Sequence, residues 1–224
     1  MNSTCRRAFG ALVSLLLIAS SGFLSACSNG GAQEAYDVVI LGGRVMDPET
    51  NFDGIRNVGI RDGLIVTITE DEISGGESID ATGHVVTAGF IDTHHHGAGN
   101  AWGVKTSLRD GVTTPMDLEL GTINVDGWYA AREGQWAANY GAAASHEFHR
   151  MKVMDGMSLD QPADGNDFAR LRNESYEENG QPDWAITVAS LDQLNEMLGN
   201  LDEDLRAGAL GIASTTGYMA NGVT

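Results

Sequence analysis

Gly89-Phe-Ile-Asp-Thr-His94-His95-His96 is the stretch on which the fold turns. It closes an apolar run, 85–93, that reads as a β-strand, and on a strand residues i and i+2 share a face. His94 and His96 therefore turn to one side and His95 to the other. Two imidazoles so spaced suit a divalent metal such as zinc. The C-terminal strand ends of a parallel barrel are where such sites are built.

Downstream, apolar strands at 112–120, 140–148 and 209–214 alternate with helical stretches, the pattern of βα units around a parallel sheet. The clearest helix precedes the last strand. Ser190-Leu-Asp-Gln193 is a capping box, Leu191, Leu194, Met197, Leu198, Leu201 and Leu205 form one apolar face, and Gly208 closes it. The acidic, polar segment 155–183 reads as a long surface excursion. Upstream, Asp37-Val-Val-Ile-Leu41 and Arg44-Val-Met46 are strand-like, separated by Gly42-Gly43. Val58 and Ile60 lead to a hairpin signal at Arg61-Asp62-Gly63, and Leu64, Val66 and Ile68 resume the alternation. Ser78-Ile-Asp80 and His84-Val-Val86 flank a turn at Ala81-Thr-Gly83. This module has about 50 residues, short for an independent core. The expected fold is α/β: the first four βα units of a (βα)8 TIM-type barrel, preceded by a small antiparallel β-sheet domain. Four strands do not close a barrel, and 224 residues compare with ~250 for a barrel alone, so the chain reads as a fragment.

The net charge of −18 argues against a nucleic-acid partner, which needs a basic patch. Both cysteines, Cys5 and Cys27, lie at the front; no later cysteine exists for a disulfide, a zinc finger or a thiol active site. Arg6 and Arg7, a short apolar body and Leu24-Ser-Ala-Cys27 read as a secretory signal peptide, too short to span a membrane. Leu24 to Cys27 also resembles a bacterial lipobox, in which the cysteine is lipidated. Arg6-Arg7-Ala8-Phe9 only faintly resembles a twin-arginine signal. The expected organisation is a signal peptide at 1–26, a lipidated tether at 27–35, the small sheet domain at 36–87 and the half barrel at 88–224. The mature protein is expected in the bacterial cell envelope, in the periplasm or outer membrane, held by its lipid alone.

The stretch from Asp80 to His96 resembles the first motif of the amidohydrolase superfamily, with Ala88 where that family usually has proline. Within the superfamily the chain resembles the N-acyl-D-amino-acid deacylases (D-aminoacylases). Arg109-Asp-Gly-Val-Thr-Thr114 matches the turn into their second strand. Asn139 through Arg150, with His146, matches their third-strand motif. Ala207-Gly-Ala-Leu-Gly-Ile212, followed by Ser214 and Tyr218, matches the fourth. The resemblance spans about residues 37–224 and implies one or two divalent metal ions, Zn2+ first, and hydrolysis of a small N-acyl amino acid. It also implies a general-base aspartate and two further histidine ligands from later strands, so the chain as given is expected to be inactive.

The family's second-strand cysteine ligand is absent; Leu120 occupies that position. The expected metal ligands are His94, His96 and Glu119, with Asp117 as the alternative carboxylate. His146, Arg150 and Tyr218 are the expected substrate contacts, each with a structural reading beside it: a core histidine, an ion pair, a packed loop aromatic. His149, on the opposite face of an ideal strand, is expected at the surface. Two other readings stay open: a cyclic-amide hydrolase of the dihydroorotase or hydantoinase type, and a non-catalytic lipoprotein that binds a metal or a partner.

Overall fold

A computed structural model describes residues 36–220, so the expected signal peptide and Cys27 lie outside the described residues. The chain divides into two compact units, one of 36–46 with Phe52–Val86 and one of Asp47–Asn51 with 87–220.

Turn chemistry shapes the first unit. It contains β1 (Tyr36–Asp47), β2 (Phe52–Arg61), β3 (Leu64–Thr69), β4 (Gly75–Asp80) and β5 (Val85–Thr87), in the order β3-β2-β1-β4 with β5 also on β1. Asp62 and Gly63 both have positive φ, 52° and 74°. That conformation matches a two-residue turn to the twist of its strands, and it sets β2 antiparallel to β3. Gly42-Gly43 does not break β1. Gly42 takes φ +68° within the strand and donates its N–H to Asn57 Oδ1 at 2.9 Å, so the permissive backbone of glycine bends the strand without ending it. The sheet is mixed rather than purely antiparallel, because β4 returns beside β1 in parallel register, Val38 opposite Glu77 and Ile40 opposite Ile79. Val39, Val45, Val58 and Ala81 are its buried apolar residues.

The second unit is a parallel sheet in the order β6-β7-β8-β9, formed by β6 (Phe90–Asp92), β7 (Val112–Thr122), β8 (Gly141–Ser145) and β9 (Ile212–Ala213). Helix α1 (Ala101–Arg109) joins the first pair and α2 (Val125–Ala130) the second. Between β8 and β9 run α3 (His146–Met154), α4 (Phe168–Asn179), α5 (Asp183–Ile186) and α6 (Leu191–Arg206). This is the alternation of a (βα)8 barrel, present in part.

Three sequence expectations are corrected here. The run 85–93 is two strands: β5 belongs to the small sheet and β6 to the parallel one. Gly89 lies between them, and a Cβ there would collide with Thr113. The third barrel strand stops at Ser145, not 148. The Ser145 side chain accepts from Phe148 N at 3.2 Å and starts α3, satisfying one of the free N–H groups at the helix start. Finally, 155–183 is no mere surface excursion. Its Met157, Leu159, Ala163 and Leu171 are buried with Leu120, Phe148, Met151 and Trp184 in one apolar cluster.

Helix α6 carries its capping box, Ser190 and Gln193 satisfying each other's backbone N–H. Only Met197 and Leu201 of its apolar face are buried; Leu191 and Leu198 stay 72% and 60% exposed. Among the described residues no helix is long and apolar enough to cross a membrane.

Candidate metal centre

The chain beyond β6 stays alongside β7: His95 N donates to Met116 O at 2.9 Å, and Leu118 N to Thr93 O at 3.1 Å. This pairing fixes which way each histidine points. His95 turns toward α1, where its Nε2 lies 2.7 Å from Ser107 Oγ. His94 and His96 turn the other way, their Nε2 atoms 3.3 Å apart. Glu119, from β7, brings Oε2 to 3.7 Å from His94 Nε2 and 3.5 Å from His96 Nε2.

The three atoms form a near-equilateral triangle. Donors on a tetrahedral zinc ion, each about 2.0–2.1 Å from it, sit roughly 3.3 Å apart. The donor set and its spacing therefore fit a divalent cation, with room for ligands from elsewhere. Among the described residues this is the one group of three or more such side chains that converges closely enough to hold a metal.

Asp117 has a different place from the one its spacing suggests. It is buried, and its Oδ2 accepts from His96 Nδ1 at 2.9 Å while Oδ1 accepts from Leu120 N and Gly121 N at 3.0 and 3.1 Å. A carboxylate on Nδ1 keeps the proton there and leaves the Nε2 lone pair free for a metal. The local backbone makes this possible. Pairing with β8 skips from Asp117 opposite Ala142 to Thr122 opposite Ala144, a bulge that re-aims successive side chains. At its end Gly121 takes φ +77°, where a Cβ would collide with Ala143 O.

A cavity of about 180 Å3 adjoins the triangle, lined by His96, Glu119, Leu120, Gly165, Phe168 and Tyr218. Its aromatic wall is braced from behind. Arg172 lies 3.7 Å from the Phe168 ring centre and 4.0 Å from that of Tyr218. Its guanidinium is held by two bonds to buried Glu147, at 2.7 and 2.6 Å. A second hollow of about 280 Å3, beside His149 and Asp204, contains none of the expected site residues.

Tyr218 is thus the expected substrate contact that the structure brings to the centre. His146 stands at the first position of α3, its Nδ1 3.1 Å from Ser214 Oγ. Burial, then the charges of Arg150 and His149, lower its pKa below the ordinary histidine value. Arg150 is not brought to the centre. Its Nε and Nη2 donate to the carbonyls of Trp184 and Thr187 at 2.7 and 2.8 Å, and its side chain is buried. It clamps α5 and the residue that follows it, Thr187. His149, expected at the surface, is 3% exposed with Nε2 2.9 Å from Asp204 Oδ2. The helix beginning at Ser145 turns it inward. Gly165 and Phe168 were not anticipated, since nothing in the polar stretch around them signals that it folds back onto His96.

No family model matches the sequence. An uncharacterized protein of Mycobacterium tuberculosis is 32% identical over 202 residues, which are 80% of this chain and 32% of that protein. A dihydroorotase of Acetivibrio thermocellus is 39% identical over 89 residues, 39% of this chain and 18% of the enzyme. The chain thus spans about a third or less of the relatives it matches. Among solved structures, N-acyl-D-glutamate deacylase of Bordetella bronchiseptica, complexed with zinc and a phosphonate mimic of the tetrahedral intermediate, is similar with a TM-score of 0.62. Identity is 21%, over 85% of this chain and 40% of that one. A D-aminoacylase, described as defining a novel subset of amidohydrolases, gives a TM-score of 0.60 at 20% identity, over 83% and 40%. The described chain therefore shares the fold of part of these amidohydrolases.

Proposed function

We propose that this chain is part of a metal-dependent amidohydrolase that hydrolyses the amide bond of an N-acyl-D-amino acid. The observation that carries the reading is the triangle of His94, His96 and Glu119 with Asp117 behind His96. In this reading those three side chains hold the ion, zinc in the first instance. A bound divalent ion supplies Lewis acidity for the acyl carbonyl and acidifies water near neutral pH. The chain's own residues do the rest that is visible in it. Asp117 fixes the His96 tautomer, Glu119 contributes negative charge that favours a cation, and Leu120, Phe168 and Tyr218 keep an apolar wall beside the reacting amide. Tyr218, which lines the cavity beside His96 and Glu119, is read as a substrate contact, and His146 is read as a second one.

The likeness to deacylase structures favours this reading over a cyclic-amide hydrolase, to which the dihydroorotase match of 89 residues points. The test is metal content and turnover together, in the complete gene product. N-acetyl-D-amino acids should be hydrolysed in a zinc-dependent way, and His94→Ala or His96→Ala should abolish metal and turnover alike. Turnover of dihydroorotate or a hydantoin, with none of the acylated amino acids, would transfer the assignment to the cyclic amides. We further propose that Cys27 is lipidated and holds the protein in the cell envelope.

A further inference from the structure

His96 is also held by a residue that belongs to no strand. Gly165, between α3 and α4, lies so near that a Cβ on it would stand 2.9 Å from His96 Cβ and 3.1 Å from Asp117 Oδ2. Both are tighter than ordinary van der Waals contact. The residue before it, Asp164, is buried and fully engaged. Its Oδ2 accepts from Trp128 Nε1 and Arg132 Nη2, each at 2.9 Å. Its Oδ1 accepts from the Asn166 backbone N–H at 2.9 Å and from Asn166 Nδ2 at 2.7 Å.

Two more bonds tie this turn to the chain immediately after His96. Arg132 Nη2 donates to Gly99 O at 3.0 Å, and Asn100 Nδ2 donates to Asn166 Oδ1 at 2.7 Å. Gly99 allows the approach, since a Cβ there would collide with the Asp164 carboxylate. Arg132 itself lies 3.7 Å from the centre of the Trp128 ring. A buried ion pair is a costly way to fasten a loop unless its geometry is well satisfied. Here the satisfied pair delivers one glycine against the second histidine of the triangle.

We propose that the turn Asp164-Gly165-Asn166 is a positioning element of the metal centre. Trp128 and Arg132 grip Asp164, which holds Gly165 against His96 and Asp117 and so sets the orientation of the His96 imidazole. The inference rests on the metal-binding reading for its use, and on the contacts above for its geometry.

The experiment compares the purified chain with Gly165→Ala, Asp164→Asn and Asn166→Ala. Zinc affinity is read by competition with a chromogenic chelator, and the cobalt-loaded proteins by visible absorption. The His96 tautomer is read by 15N NMR in the metal-free chain. Disturbing the Asp117–His96 outer-shell contact costs about 10–100-fold in metal affinity, and Gly165→Ala, which forces a Cβ against both residues, should fall in that range with an altered cobalt band. A turn that only stabilises the fold would lower the melting temperature and leave the affinity of the folded protein unchanged. Should Asp164→Asn fail to fold, Asn166→Ala removes the tie to Asn100 and one hydrogen bond to Asp164, while leaving the Asp164–Arg132 ion pair in place. Zinc affinities of all folded variants within twofold of the parent, with an unchanged His96 tautomer, overturn the proposal. If the parent binds no zinc, the metal reading falls and the NMR decides alone. Loss of the Nδ1–H signal of His96 in Gly165→Ala then upholds the turn's role, and its retention ends it.

Discussion

Asp117 Oδ2 and His96 Nδ1 stand 2.9 Å apart, and the other oxygen of the same carboxylate is anchored by two backbone N–H groups of the following bulge. The carboxylate cannot swing away without losing three bonds, so the imidazole inherits its rigidity from β7. Asp117→Ala should therefore lower zinc affinity by about 10–100-fold while His94, His96 and Glu119 all remain. Chelator competition measures this directly. An unchanged affinity would show that His96 is oriented by packing alone.

The three donors should not be equivalent to their neighbours. Glu119→Ala, His94→Ala and His96→Ala should each lose bound metal by elemental analysis. His95→Ala should keep it, because that ring is spent on Ser107. Its cost should be one hydrogen bond, about 1 kcal/mol of stability. Metal loss in His95→Ala equal to that in His94→Ala would mean the register past β6 is off by one residue.

Gly121→Ala tests the bulge without touching a donor. It forces a Cβ toward Ala143 O at a positive φ, which should cost roughly 1–3 kcal/mol. Urea denaturation reads the loss. Near-wild-type stability would require the backbone there to flip out of the left-handed region at no cost.

Burial holds the pKa of His146 below its ordinary value, and the nearby charges of Arg150 and His149 add to the effect. The folded state thus prefers the neutral ring. Its contribution to stability is fully present above the unfolded pKa, about 6.5, and is lost as pH falls from there through the lowered folded pKa. Wild type should lose more stability than His146→Gln between pH 7.5 and 5.5. Parallel pH profiles of the two proteins would contradict the sign.

Cys27→Ser should release the protein from the membrane fraction or block its processing, whereas Cys5→Ser should change neither. Labelled fatty acid on the Cys27→Ser protein would exclude lipidation at that position.

Short-range chemistry made much of this legible. An Asp-Gly pair announces the hairpin at Asp62, Ser190 and Gln193 announce α6, and the period of a strand separates His94 and His96 from His95. The same period puts Asp117 and Glu119 on one face. The bulge then divides them, sending one to Nδ1 and the other to the Nε2 atoms, and no local pattern in Leu118 to Gly121 encodes that division. Helix α3 escaped notice because its cap, Ser145, has Phe148 three residues on, without the Glu or Gln of a full capping box. Reading 140–148 as a strand then misplaced His149 and Arg150. Gly165 was invisible for another reason. Its partner, His96, is far away in sequence, and a close approach between distant segments leaves no periodicity.

The leucines left uncovered on α6 have a consequence for the chain in solution. Leu191 and Leu198, with Val188, Leu210 and Ile212, are apolar side chains more than half exposed, and apolar area of this kind, where contiguous, makes proteins adhere. Against it stands the charge of −18, which keeps like molecules apart only as far as the ionic atmosphere allows, about 10 Å at 0.1 M salt and 3 Å at 1 M. Ionic strength thus governs the balance: colloidal dispersion in dilute buffer, and self-association as added salt shortens the reach of the repulsion.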